Sequence, residues 1–442
     1  MITYELIKPV DGQTDSVQRH RLWILLMYVY LLTLFTFSAA GREGPSAVES
    51  LDWIALIKLA VRISAFFVLG IVIARAWHLQ RRQALSWCLL PWGLYVGWAI
   101  VSTFWSPLKA VSLGQAFGLM VQVMLALALA LRCMDLGDVS KILYHLSMAM
   151  LVFSAGVLIV HAISPETSGL VERHNLTWEE GASGLVHPTA AGATASLGIL
   201  MIVSAMLLWN WRWSRVLLMP ALLIHGVLLV LAMRRIPIIV GAATVQLSFL
   251  LFSRRLVTSG VSVMVCIFMA GYIALDPGLE LADQTIGSAL GYARRGETDD
   301  QMQSINGRTL LWEAVWDEFK KSPVIGHGYF VSSKLGRIDV WDGPSNKTAH
   351  NVLLQVLVST GVIGAILFLW GLIQPAAACS KFLLGDPRSR KLAAFLGVVG
   401  IWYFGWGLFC ESFMGPVQPE SVVFFTLLGM AIGIFSSGRQ TL

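Results

Sequence analysis

The sequence has few charged residues and few cysteines for its length. Asp, Glu, Lys and Arg make up only 13% of the 442 residues, whereas a soluble domain has about 25%. This composition excludes a soluble globular protein and a disordered chain. The cysteines are odd in number and all lie in or beside apolar runs: Cys88, Cys133, Cys266, Cys379 and Cys410. The sequence therefore predicts neither a disulfide framework nor a zinc site.

The dominant feature is apolar sequence, since hydrophobic residues make up 56% of the chain. A membrane-spanning helix needs about 20 predominantly apolar residues. The runs that qualify are 22–40, 54–76, 86–104, 110–131, 142–163, 188–208, 214–232, 236–252, 257–275, 350–378, 390–411 and 417–435. We therefore predict an all-α integral membrane protein with about twelve transmembrane helices.

The spans divide the chain into three units. Spans one to nine occupy 1–275, a long loop that contains helices occupies 276–349, and spans ten to twelve with a tail occupy 350–442. Lys and Arg are more frequent on the side of the N-terminus, which predicts cytoplasmic N and C termini and an external long loop. The net charge of +6 fits basic cytoplasmic loops and gives no argument for nucleic-acid binding.

Two adjacent arginines are predicted on the external side, although Lys and Arg are otherwise more frequent on the cytoplasmic side. Arg234 and Arg235 precede Pro237, and proline is favoured in the first turn of a helix. The pair is therefore predicted at the N-terminus of span eight, where guanidinium groups and helix dipole together attract anions. The alternative is that both arginines only extend to lipid headgroups.

A helix is predicted within the long loop at 306–321, with Asn306 as its N-cap. Its apolar stripe consists of Leu311, Trp312, Val315 and Phe319. Arg308 lies at the top of this stripe and therefore needs an anionic partner. That partner is either a bound ligand or a carboxylate such as Glu313 or Asp339.

His350 opens span ten and is followed by Asn351. Its predicted position is the first turn of a long apolar helix at the outer membrane surface. The positive helix end disfavours a charged ring, so we expect the neutral imidazole that a general base requires. The alternative is an interfacial histidine that only caps the span.

Weaker candidates lie on the same side of the membrane. Lys58 and Arg62 are four residues apart on span two and are predicted to face the bundle interior or the phosphate groups of a lipid. His187 precedes Pro188 and is expected to shape the start of span six. No metal-ligand spacing, glycine-rich phosphate loop or nucleophile elbow is present in the sequence.

The order of these features resembles the O-antigen ligase and polymerase superfamily of bacterial inner membranes, over about residues 80–375. The resemblance rests on Trp105-Ser106-Pro107, His187-Pro188, Arg234-Arg235, Gly307-Arg308 with Leu311-Trp312, Pro323 with Gly326-His327-Gly328, and His350-Asn351 with Gly361.

This resemblance implies a GT-C-like inner-membrane glycosyltransferase that works at the periplasmic face without metal or other cofactor. Ligases of the family transfer a glycan from undecaprenyl pyrophosphate to lipid A core, with inversion. By the same resemblance, Arg234 or Arg235 binds pyrophosphate together with Arg308, and His350 is the catalytic base. Trp312 is either a sugar-stacking surface or part of the loop core. The family has Ser-Arg-Gly or a similar form where this chain has Met233-Arg234-Arg235-Ile236, so either arginine can be the equivalent one.

Other functions fit the same sequence. An O-antigen polymerase and a protein O-oligosaccharyltransferase use the same lipid-linked donor. A lipid or glycan transporter belongs to a different class and needs polar residues within several spans, whereas only Lys58 and Arg62 lie clearly within one. A membrane scaffold would need none of the basic residues.

Overall fold

The computed structural model describes residues 53–76, 82–133, 136–168, 170, 186, 188–209, 215–232, 234–252, 308–330, 348–383, 385, 387–411 and 417–437. The regular structure in these ranges is helical. The α-helices are α1 (Trp53–Ala76), α2 (Arg82–Val101), α3 (Lys109–Arg132), α4 (Leu136–Ile163), α5 (Pro165–Ser168), α6 (Pro188–Trp209), α7 (Arg215–Leu231), α8 (Arg235–Phe252), α9 (Arg308–Lys321), α10 (Val352–Phe382), α11 (Pro387–Gly407) and α12 (Pro419–Ser437).

Most of the predicted spans can be compared directly with these helices. Runs 22–40 and 257–275 lie outside the described residues, and each of the other ten runs coincides with a helix to within about six residues. Five helices in the described part are long and apolar enough to cross a membrane: Lys109–Leu131, Asp138–Ile163, Pro188–Leu208, Arg235–Phe252 and Val352–Phe382. The all-helical membrane character is confirmed, and the total of twelve spans stays a prediction.

Small residues let the helices of the bundle approach closely. A Cβ atom added at Gly433 of α12 would lie 2.9 Å from the carbonyl oxygen of Ala130 on α3. The indole nitrogen of Trp92 on α2 donates to the carbonyl oxygen of Gly371 on α10 at 3.0 Å. Contacts of this kind pack helix backbones against one another where water is absent.

The first half of α10 ends at a break in the helix. Gly361 has a φ of 66°, which is the left-handed region that favours glycine. The chain that follows α9 lies in this break: the amides of His327 and Gly328 donate to the carbonyl oxygens of Val358 and Ser359 at 3.0 and 2.9 Å. The amide of Val362 donates to the carbonyl oxygen of Pro323 at 2.8 Å. The segment after α9 thus pairs backbone groups that the break leaves without helical partners.

The same segment, 323–330, also contacts α2 and the turn that follows it. The amide of Tyr329 donates to Ser102 Oγ at 2.8 Å, and the ring of Tyr329 packs edge-on against that of Tyr95 on α2. Gly326 and Gly328 both have positive φ values. The C-terminal end of α9 is therefore attached to the bundle through backbone hydrogen bonds.

Candidate functional site

Helix α9 packs against the start of α10. Leu311 and Val315 are buried on one face of α9 and pack against Ala349 and Val358. Phe319 is buried further along α9, while Trp312 is half-buried. The predicted helix is confirmed over Arg308–Lys321, and its apolar stripe is confirmed at the three buried positions. The predicted N-cap, Asn306, lies outside the described residues. Because Ala349 adjoins His350, this packing places the N-terminus of α9 beside the candidate base.

Trp312 holds the backbone immediately before His350. Its Nε1 donates to the carbonyl oxygen of Ala349 at 3.1 Å. The amide of Ala349 donates in turn to the Gln355 side chain at 3.0 Å. Both backbone groups of a fully buried residue are therefore paired, which fixes the chain as it enters α10. These contacts anchor the half-buried Trp312 to the chain before His350, and its sugar-stacking role stays a prediction.

His350 itself lies outside the helix, so its predicted position in the first turn of span ten was wrong. Asn351 is the N-cap of α10, and its Oδ1 accepts from the amides of Leu353 and Leu354. An asparagine side chain in this role replaces the missing helical acceptors, so the helix begins one residue later at Val352. His350 has a φ of 46°, a strained conformation for a residue other than glycine.

Asn351 also connects α10 to the end of α11, because its Nδ2 donates to the carbonyl oxygen of Leu408 at 3.1 Å. This contact brings the turn after α11 against His350. Glu411 follows that turn, and its Oε2 lies 3.6 Å from His350 Nδ1. The Thr348 hydroxyl lies 3.3 Å from the same ring nitrogen. The imidazole therefore faces a carboxylate and a hydroxyl.

The Glu411 side chain is only 7% exposed, whereas that of His350 is 40% exposed. Burial raises the pKa of the Glu411 carboxyl, but His350 and the Thr348 hydroxyl outweigh burial and leave this pKa below its usual range. Our sequence interpretation missed Glu411. The available signal was a carboxylate at the end of an apolar run, where charged groups are rare and frequently functional.

Arg308 contacts the same turn at Phe409. Its guanidinium carbon lies 5.6 Å from the centre of the Phe409 ring, and that ring lies 6.3 Å from the ring of Trp312. Arg308 is the first residue of α9, where the helix dipole adds to its positive charge. Of the carboxylates considered as its partners, Glu313 is exposed and Asp339 lies outside the described residues.

The arginine pair precedes and opens α8, as predicted, with Pro237 in the first turn. Both arginines are half-buried. A Cβ atom added at Gly192 of α6 would lie 3.5 Å from Arg234 Cβ, so the pair lies where α6 and α8 converge. One turn further along α8, Val240 packs against Gly405 of α11. The pair thus lies near the C-terminal end of α11, which is followed by Phe409 and Glu411.

The weaker candidates have different environments. Arg62 donates to the carbonyl oxygen of Gly114 on α3 at 3.3 Å and lies against Gly118, so it faces a neighbouring helix, as expected. The Lys58 side chain and all of His187 lie outside the described residues, while Pro188 begins α6. Within the described ranges, no three His, Cys, Asp or Glu side chains are grouped to hold a metal. Metal independence stays a prediction.

Comparison with known proteins tests the resemblance directly. The family model described as O-antigen ligase matches residues 220–369. This segment is similar to the O-antigen ligase family. Residues 220–369 include Arg234, Arg235, Arg308 and His350, and the resemblance to the O-antigen ligase and polymerase superfamily is confirmed.

A curated relative covers a segment of similar length. The exopolysaccharide production protein ExoQ of Rhizobium meliloti (strain 1021) is 26% identical over 149 residues. The match covers 31% of this chain and 32% of that protein, so it spans about a third of either. Phe409 and Glu411 lie outside residues 220–369. The Phe409 ring nevertheless contacts Arg308, and the Glu411 carboxylate faces His350.

Proposed function

We propose that this protein is an O-antigen ligase of the bacterial inner membrane. It transfers an O-antigen glycan from undecaprenyl pyrophosphate to lipid A core at the periplasmic face. The observation that carries this proposal is that Arg308 and His350, 42 residues apart in the matched segment, both approach the turn after α11, Arg308 at Phe409 and His350 at Glu411. The proposal therefore assigns the cation at the N-terminus of α9 and the imidazole before α10 to one site beside this turn.

The arginines stabilise the leaving group. As the bond between sugar and pyrophosphate breaks, negative charge develops on the pyrophosphate oxygens. Arginine remains charged at any working pH and offers paired donors to phosphate. Arg308 and one or both of Arg234 and Arg235 therefore supply fixed positive charge for this step, and they do so without magnesium.

His350 activates the acceptor. A sugar hydroxyl is a weak nucleophile until a base takes its proton, and such a base contributes about 10²–10⁴-fold to the rate. The hydroxyl oxygen attacks the anomeric carbon from the side opposite the pyrophosphate, so the configuration inverts. The lipid portions of both substrates stay in the membrane beside the bundle.

The nearest second candidate is a polymerase that joins repeat units on the same lipid carrier. The observation that favours it is the similarity to a protein named for exopolysaccharide production. Both functions use the same arginines and the same base. They differ in the acceptor, which is lipid A core for the ligase and another lipid-linked glycan for the polymerase.

Lipopolysaccharide gels distinguish these functions. We expect deletion of the gene to leave bare core while polymeric glycan accumulates on the lipid carrier. The wild-type gene should restore the ladder, and His350→Ala, expressed to the same level, should not. Asp317→Asn is the matched control because Asp317 is exposed on α9 and pairs locally with Lys320.

Other outcomes reject the ligase assignment. Core that carries a single repeat in the deletion strain identifies the polymerase. An unchanged ladder rejects both and moves attention to protein glycosylation or transport. Full activity of His350→Ala removes the proposed base, whatever the substrate is.

A further inference from the structure

Ser196 lies at the point where α6, α8 and α11 meet, and its side chain is buried. Its Oγ donates to the carbonyl oxygen of Pro237, in the first turn of α8, at 2.8 Å. The indole nitrogen of Trp402 on α11 donates to the same Oγ at 3.0 Å. One hydroxyl group therefore joins the first turn of α8 to both neighbouring helices. Ser196 and Trp402 lie outside residues 220–369, and our sequence interpretation did not single them out.

Glycines on both helices allow this contact. A Cβ atom added at Gly241 of α8 would clash with Ser196 Oγ. One turn before Ser196 on α6, a Cβ atom added at Gly192 would lie 3.4 Å from Pro237 Cγ and 3.5 Å from Arg234 Cβ. Small residues of this kind let helix backbones approach closely in a membrane bundle. The start of α8, with its arginine pair, is therefore packed directly on α6.

The other partner of Ser196 belongs to the helix that leads to Phe409. Trp402 is fully buried, and its ring stacks on that of Trp406 with the ring centres 5.8 Å apart. Helix α11 ends at Gly407, and Phe409 contacts Arg308 just beyond it. Buried polar contacts whose members are paired make a core rigid. The same helix thus holds the start of α8 and carries the aromatic contact of the third arginine.

We propose that Ser196, held by Trp402, is a positioning residue for the arginine pair. Its hydrogen bond to Pro237 fixes the depth and rotation of the first turn of α8 and thereby directs Arg234 and Arg235 toward the pyrophosphate of the lipid-linked donor. The paired donors of a guanidinium group match phosphate oxygens only in a suitable orientation. A displacement of about 1 Å can cost about 10²-fold in rate. This inference rests on the proposed glycan transfer.

Ser204 provides a matched control for Ser196. It lies two turns further along α6, is also buried, and its hydroxyl is 3.1 Å from that of Ser248 on α8. Ser196→Ala and Ser204→Ala therefore each remove one hydroxyl from the same pair of helices, but only Ser196 lies beside the arginines.

The test uses the purified full-length protein in detergent. We expect Ser196→Ala to weaken the binding of inorganic pyrophosphate, measured by calorimetry, about 10-fold. The value of kcat/KM for a fluorescent undecaprenyl-pyrophosphate glycan should fall by a similar factor, while KM for lipid A core stays unchanged. Ser204→Ala should keep the wild-type values. Wild-type pyrophosphate binding in Ser196→Ala, or an equal loss in Ser204→Ala, would overturn the proposal.

A double-mutant cycle tests whether Ser196 acts through the arginines. If it does, Ser196→Ala causes no further loss of donor kcat/KM once Arg234 and Arg235 are both alanine. A further loss of the same size as in the wild-type background would contradict positioning. If Ser196→Ala does not yield folded protein, Trp402→Phe decides, because it removes the indole donor and keeps an aromatic ring. Weaker pyrophosphate binding there supports the proposal, and wild-type binding contradicts it.

The outcomes for the two proposals differ. Transfer to lipid A core at the wild-type rate in Ser196→Ala would leave the proposed function intact and remove only the role of Ser196. Pyrophosphate binding that depends on Ser196, without transfer to lipid A core by the wild-type protein, would remove the ligase assignment and retain the role of Ser196. A wild-type protein that does not bind pyrophosphate would contradict both.

Discussion

The guanidinium of Arg308 lies over the aromatic ring of Phe409, 5.6 Å from its centre. The two residues belong to elements that are far apart in the chain, the start of α9 and the turn after α11. An arginine over an aromatic face is attracted by the ring's quadrupole. Phe409 therefore orients the cation that we assign to the leaving group.

Replacing Phe409 with leucine tests this contact, because leucine keeps the apolar volume and removes the aromatic face. The contact contributes about 0.5–2 kcal/mol, so we expect kcat/KM for glycan transfer to fall roughly 2- to 30-fold. Phe404→Leu is the control, since Phe404 is 68% exposed on α11. Equal activities of the two variants would show that the ring does not orient Arg308.

The indole of Trp312 provides a second prediction. Trp312→Phe removes the donor to the Ala349 carbonyl oxygen and leaves a buried acceptor unsatisfied. The expected loss is about 1–3 kcal/mol of stability, together with slower transfer because Ala349 precedes His350. Thermal unfolding in detergent and the transfer rate measure the two effects. The exposed Trp316 offers a control in Trp316→Phe, and a loss of equal size there would argue against the hydrogen bond.

The sequence predicted the helices well because each depends on local apolar content and on capping residues. Span six begins at Pro188, span eight at Arg235 and the loop helix at Arg308, all close to the predicted positions. The approach of Glu411 to His350 was not predictable in the same way. It depends on the hydrogen bond between Asn351 and Leu408, which joins residues 57 apart and has no periodic signal.

The break in α10 shows the same limit at a single residue. Gly361 lies within an uninterrupted apolar run that predicts a continuous helix, and glycine alone does not specify a left-handed turn. The break exists because segment 323–330 donates to the carbonyls of Val358 and Ser359. Such a contact between distant segments overrides the local preference for a regular helix.

The pKa of Glu411 predicts a pH dependence of stability. Because this pKa is lower in the folded protein than its ordinary value of 4.5, the carboxylate stabilises the fold above pH 4.5. That contribution is lost as pH falls through the lower folded-state pKa. We expect the difference in unfolding temperature between wild type and Glu411→Gln to be larger at about pH 6 than at about pH 3. A pH-independent difference would contradict the assigned ionisation.

The last prediction concerns Gly361, whose backbone holds segment 323–330 against α10. A Cβ atom added there would contact the Val324 carbonyl and lie 2.6 Å from the Ile325 amide nitrogen, at a φ of 66°. Alanine is strained by about 1–2 kcal/mol in this region, and the clash must also displace the segment. We therefore expect Gly361→Ala to lower the unfolding temperature and the transfer rate together.

Gly97→Ala is the matched control, because no atom lies within 4 Å of an added Cβ at that position of α2. The comparison also tests how α9 is held. The segment attaches the C-terminal end of α9, while Arg308 lies at the opposite end. If Gly361→Ala lowers stability but leaves transfer at the Gly97→Ala level, the packing of Leu311 and Val315 is sufficient to place Arg308. If transfer also falls, the helix break at Gly361 is part of what positions the arginine.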